Sequence, residues 1–251
     1  MLQLPAATPY DLNFRLLGIP VRINPFFWLV AALLGWQGRN GLEVVIWVGC
    51  VLVSILVHEF GHGLTARAFT GQRPVVVLYG MGGLCSYDRE ERSPWQKVVV
   101  LLMGPGAGFL LFGLVAAFGS VVLGVLPFRM GVLHSPPRWY NVTIAQAYED
   151  LIDINLIWGV FNLVPVYPLD GGQISHVFFS LNNRREGPRR CFILSLGAAG
   201  LLAVYMLSKE NTPVAILLFY LALINFQLLQ AAKYQGRYGD GAEDDDDWWK
   251  R

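Results

Sequence analysis

His58-Glu59-Phe60-Gly61-His62 is the segment of this chain whose residue types and spacing could carry out chemistry. Residues four apart on a helix share a face, so the His58 and His62 imidazoles can reach one metal ion together. Glu59 stands one residue along, close enough to touch a water on that metal without ligating it. Two neutral imidazoles would hold Zn2+ and the carboxylate would take a proton from water, the division of labour that metal-assisted hydrolysis requires. Residues 44–57, just before, are almost wholly apolar. An ionisable side chain inside a membrane helix costs about 2.5 kcal/mol or more on insertion scales, so a trio placed there is seldom idle.

Two histidines do not complete such a site, because a catalytic zinc takes three protein ligands and a water. The remaining histidines are His134, in a proline-rich loop, and His176; the acids within apolar sequence are Glu149, Asp150, Asp153 and Asp170. Asp170 follows Pro165 and Pro168 and precedes Gly171-Gly172. The prolines break a helix and the glycines permit a turn or a close approach. A broken helix that carries a carboxylate at membrane depth needs a polar cavity. Asp170 is therefore the expected third ligand and His176 its rival.

The elements that must position these groups are apolar. Of 251 residues, 54% are hydrophobic and 15% charged, against about 25% charged in soluble domains. That excludes an ordinary cytosolic globule and a disordered chain. A net charge of +1 offers no basic excess for nucleic acid. Cys50, Cys85 and Cys191 form no CxxC pair and read as free thiols in apolar surroundings.

Apolar runs cover residues 25–36, 42–69, 95–126, 143–180 (broken by the prolines), 191–207 and 213–232. They predict an all-α polytopic membrane protein of about six transmembrane helices in a single domain over 23–235. Of the 19 Lys and Arg residues, all but Arg39, Arg129, Arg138 and Lys209 fall in one set of loops, which places both termini in the cytoplasm. Residues 1–22 read as a cytoplasmic lead-in, since no signal-peptide pattern is present. Between the second and third helices, Val75–Tyr79, a Gly80–Gly83 turn and residues 84–87 predict a membrane-associated β-hairpin spanning about 73–92. Strand edges are not tolerated against lipid, so it should lie against protein or a wet cavity. The acidic stretch Glu243-Asp244-Asp245-Asp246-Asp247 makes 236–251 a disordered cytoplasmic tail, with Trp248-Trp249 available to the bilayer interface or a partner.

The His-Glu-x-x-His helix, followed by Asn162-Leu163-Val164-Pro165-Val166-Tyr167-Pro168-Leu169-Asp170-Gly171, resembles the site-2 proteases. These are intramembrane zinc metalloproteases whose second motif is Asn-x-x-Pro-x-x-x-x-Asp-Gly. The likeness runs from about Gly18 to Gln235. It implies that His58, His62 and Asp170 bind zinc, that Glu59 is general base and proton shuttle, and that Asn162 steadies the oxyanion. It also implies that the hairpin, through Val75, Val76, Val77, Leu78 and Tyr79, offers an edge strand to an unwound substrate. A helical peptide bond is shielded, and strand addition would hold it extended. One departure is Gly104-Pro105-Gly106-Ala107-Gly108, which lacks the asparagine relatives often carry there. Its Gly104 and Gly108 form a GxxxG, read as close helix packing. The sequence leaves no room for an inserted PDZ or CBS domain, so a minimal form is expected.

The activity implied is hydrolysis of a peptide bond in or near a transmembrane segment of a membrane protein, as in regulated intramembrane proteolysis. Its setting is a lipid bilayer, in a bacterial inner membrane by analogy, with room for a regulatory membrane partner. The alternatives are a metal transporter that hydrolyses nothing and a catalytically silent relative that binds membrane proteins.

Overall fold

Asparagine, serine and proline mark where the helices of this chain begin. Asn24 accepts from the Phe26 amide at 3.0 Å and Pro25 opens α1, Pro25–Gly35. Asn40 and Glu43 form a reciprocal capping box at the start of α2, Gly41–Thr70, and Gly71 ends it at φ 71°. Ser93 caps α3, Pro94–Phe118, with Pro94 in its first turn. Each device satisfies amides or carbonyls that a helix end leaves without partners.

The computed structural model describes residues 6–36, 38–87, 93–183 and 186–242, apart from the side chains of 129, 182 and 233–242. It contains two compact units, residues 1–161 and 162–251. Four helices among the described residues are long and apolar enough to cross a bilayer. These are α2, α3 with its π-helical continuation to Leu123, α6 (Gly187–Ser208) and α7 (Thr212–Ala242) through Ala232. α1 has 11 residues, or roughly 16 Å of rise, well short of a hydrocarbon core of about 30 Å. α4, Val142–Asn162, carries Glu149, Asp150 and Asp153 around its middle.

In the first unit a four-stranded sheet lies beside α1 and α2. Its order is β1 (Leu12–Leu16), β2 (Ile19–Ile23), β3 (Val75–Tyr79), β4 (Gly82–Ser86), with β2 parallel to β3 and both outer pairs antiparallel. Two expectations change here. The stretch taken as a lead-in supplies two strands, turned through Leu17 at φ 50° and Gly18 at φ 77°. Also, Gly80-Met81 alone makes the second turn, while Gly82 and Gly83 enter β4. The apolar side chains of β2 (Ile19, Val21, Ile23) and of β3 (Val76, Leu78) pack with Phe27, Ile55 and Phe60 in one core.

That pairing corrects the substrate-strand expectation. Val75, Val76, Val77, Leu78 and Tyr79 form an interior strand whose two backbone edges are taken by β2 and β4. Val76, Val77 and Leu78 are at most 1% exposed. In this hairpin the outer edge belongs to Gly82–Ser86. Local sequence could not show this, because β2 reaches β3 from more than fifty residues away.

The loop before α2 is tied to α4. Arg39 makes two bonds of 2.8 and 2.9 Å to the Asp150 carboxylate and lies 4.6 Å over the Trp47 ring. The Asp150 carboxylate holds the Arg39 guanidinium above its ordinary pKa. Arg39→Met would leave a carboxylate that is 5% exposed without its cation. We expect a stability loss of about 2 kcal/mol, less than for a fully buried pair because Arg39 keeps some water contact. Thermal unfolding in detergent should show it with zinc content unchanged.

In the second unit, residues 163–169 turn without helix, with a cis Tyr167-Pro168 peptide, into α5 (Asp170–Asn182). α6 and α7 then pack side by side. α7 continues to Ala242, so 236–242 are helical where a disordered tail was expected. Once a helix is nucleated by a long apolar span, extending it by a few residues is easy. The acidic stretch and Trp248-Trp249 lie outside the described residues.

Candidate metal centre

The last half of α2 carries a buried run, with His58, Glu59 and His62 at 3%, 5% and 7% exposure. The i, i+4 spacing does what the sequence predicts: the two Nε2 atoms stand 3.1 Å apart, with the rings at 81°. Two nitrogens bound to one tetrahedral zinc at about 2.0–2.1 Å would be about 3.3 Å apart, so the pair fits such an ion. His62 Nδ1 lies 2.8 Å from the Val100 carbonyl oxygen of α3. A carbonyl only accepts, so this bond puts the proton on Nδ1 and leaves the Nε2 lone pair for a metal.

Glycines bring the neighbouring backbones close. A Cβ on Gly61 would come within 2.8 Å of the Met103 carbonyl carbon, and one on Gly104 within 2.8 Å of His62 Cδ2. Gly104 therefore packs as expected, and what it packs against is the His62 imidazole. Gly108 has open distance, 3.7 Å, to Asn155. On the other side of α2, β4 passes Glu59: a Cβ on Gly83 would sit 2.6 Å from its carboxyl carbon. Cys85, two residues on, has its thiol pKa pushed up by burial and then by the Glu59 charge. One turn before His58, Ser54 accepts from Asn155 of α4 at 2.9 Å, which holds the register of α4 on α2.

In the second unit Asp170 is the first residue of α5 and is 6% exposed. The two glycines after it have no room for side chains. A Cβ on Gly171 would lie 2.6 Å from the Val164 oxygen, and one on Gly172 2.5 Å from Tyr167 Cα. Asn162, the last residue of α4, is 7% exposed. Among the described residues, His58 and His62 of the first unit and Asp170 of the second are buried side chains of types that can hold a metal ion. The rival His176 is not among them; its ring lies 6.2 Å from Tyr167 and 6.3 Å from Phe192. Cys50, Cys85 and Cys191 are free thiols.

Sequence reasoning missed the Val100 carbonyl and the tight glycine Gly83, and it read Gly104 as close packing without the His62 ring as its partner. The signal for Gly104 was its GxxxG with Gly108. Nothing in the sequence marks a backbone carbonyl.

The chain is similar to known proteins. The model of peptidase family M50 matches residues 46–149, which include the His-Glu-x-x-His helix. A putative zinc metalloprotease of Synechocystis is 29% identical over 189 residues, 68% of this chain and 45% of its own length. The putative zinc metalloprotease Rip3 of Mycobacterium tuberculosis is 28% identical over 207 residues, 80% of this chain and 46% of its own. The chain thus spans about half the length of the curated relatives it matches. The fold is similar to that of the site-2 protease from Methanocaldococcus jannaschii, with a TM-score of 0.60 and 19% identity, covering 88% of this chain and 95% of that one. Over its His-Glu-x-x-His region the chain thus resembles peptidase family M50, and along most of its length it is similar to zinc metalloproteases.

Proposed function

We propose that the chain is a zinc-dependent intramembrane endopeptidase that hydrolyses a peptide bond in or near a transmembrane segment of another membrane protein. One observation carries this reading: a helix long and apolar enough to cross a bilayer buries two imidazoles at metal-ligand spacing with a carboxylate between them. The relatives named above are zinc metalloproteases by name, which points to the metal. His58, His62 and Asp170 would hold it. When bound, zinc supplies Lewis acidity and brings the pKa of its water towards about 7.

The rest falls to this chain's residues. Glu59 takes the proton of the attacking water and returns it to the leaving amine. Asn162 donates to the developing oxyanion, a contact worth roughly 3 kcal/mol when well placed. The substrate, unwound, adds as a strand to the outer edge of β4, where it passes Gly83 and Glu59. Both termini lie in the cytoplasm, as the Lys and Arg distribution favours, and water enters from the cytoplasmic side of a bacterial inner membrane. A transport route fits less well, since Asp150 and Asn155 are engaged by Arg39 and Ser54.

The test is zinc content of detergent-purified protein, with cleavage of single-pass membrane proteins in proteoliposomes. We expect about one zinc per chain in the parent and in His176→Ala, and loss of zinc and cleavage in Asp170→Ala. Zinc retained by Asp170→Ala at parental affinity would exclude Asp170 as a ligand. A zinc-loaded parent that cleaves no membrane protein would favour the silent relative.

A further inference from the structure

α6 and α7 read in the sequence as plain apolar spans, yet two of their polar side chains are wholly buried. Ser195 and Asn225 are each 0% exposed. Both are aimed at one residue, Tyr167, three positions before Asp170. Ser195 Oγ accepts from the Tyr167 amide at 3.0 Å, and Asn225 Nδ2 donates to the Tyr167 carbonyl at 2.5 Å. The second Asn225 amide hydrogen goes to Leu221 of its own helix at 2.9 Å. One turn before Ser195, Cys191 Sγ donates to the Gly172 carbonyl at 3.4 Å. The Tyr167 ring closes edge-on against Phe192 at 5.6 Å.

The physical demand is plain. Residues 163–169 run without helix, and a backbone that leaves the helix at membrane depth must find partners for its amides and carbonyls. Water supplies them at a surface; here two helices supply them with side chains. Ser195 and Asn225 grip the amide and carbonyl of the same residue, so the Tyr167 peptide planes cannot rotate without breaking a buried bond. Gly171 and Gly172, pressed on this turn, pass its position on to the start of α5.

We propose that Ser195 and Asn225 are positioning residues for the third metal ligand: by clamping Tyr167 they set where the Asp170 carboxylate stands, and so the affinity and geometry of the metal site. The inference rests on the reading of Asp170 as a zinc ligand. It assigns to α6 and α7 a role in the metal centre although neither contributes a ligand.

The experiment measures zinc affinity by chelator competition, and the visible spectrum of the cobalt-substituted protein, in detergent-purified full chain. The variants are Asn225→Leu, Ser195→Ala, Asp170→Ala and Leu218→Ala. Leu218 is 1% exposed in α7 and stands about two helical turns before Asn225, so it reports general loosening of the pair. We expect Asn225→Leu and Ser195→Ala to weaken zinc binding on the order of 10- to 100-fold and to shift the cobalt bands. Leu218→Ala should lower the unfolding temperature with affinity and spectrum unchanged. Should Asn225→Leu not fold, Ser195→Ala decides alone. Parental affinity and spectrum in the folded clamp variants, or an equal loss in Leu218→Ala, would overturn the proposal. Zinc retained at parental affinity in Asp170→Ala sinks the ligand assignment itself, a distinct outcome.

Discussion

Glu59→Gln should lower peptide-bond cleavage by about 10²- to 10⁴-fold and leave zinc content at the parental level. The amide keeps the size and shape of the carboxylate, so the packing of Gly83 against it survives. It cannot accept and return a proton. His58 and His62 keep their 3.1 Å spacing and the Val100 bond, so the metal has no reason to leave. The two readouts separate base from ligand. Cleavage surviving in a zinc-loaded Glu59→Gln would end the general-base assignment. Loss of zinc with loss of cleavage would mean that Glu59 supports the metal rather than the proton.

Gly104→Ala is the second large effect, and it follows from close approach rather than from any polar group. The added methyl would press on the His62 imidazole, 2.8 Å from Cδ2 and nearer still to the ring's far edge. That ring is 7% exposed and held on its other nitrogen by Val100, so it can yield only by giving up that bond or its aim at the metal. We expect zinc affinity to fall on the order of 10- to 100-fold and cleavage to fall with it. Gly108→Ala is the matched control, because its methyl meets Asn155 at an ordinary 3.7 Å. Equal zinc affinity in Gly104→Ala and Gly108→Ala would show that the helices yield and that the glycine is not required.

The Glu59 and Gly104 substitutions differ in how far each could be read before the fold was known. Glu59 belongs to a local pattern. One helical turn is enough to bring His58 and His62 to one ion and to set the carboxylate beside them, and a helix is dictated by the apolar run around it. Gly104 belongs to a GxxxG, which predicts close packing but does not name the partner. Its importance arises only when α3 crosses α2 at Gly61, and a crossing is a long-range packing outcome.

Sequence by itself therefore determined the membrane-crossing class, the His-Glu-x-x-His helix and the broken segment before Asp170. These depend on composition, on a period of 3.6 residues and on the stereochemistry of proline and glycine, all short-range. Tertiary structure alone decided that residues 12–23 pair into the hairpin's sheet and make Val75–Tyr79 interior. It also decided that the Val100 carbonyl sets the His62 tautomer, and that Ser195 and Asn225 hold the Tyr167 backbone. Strand pairing, a carbonyl's direction and a side chain's reach into another element are fixed by which parts of the chain come together. No local run of residues encodes that meeting in its own spacing.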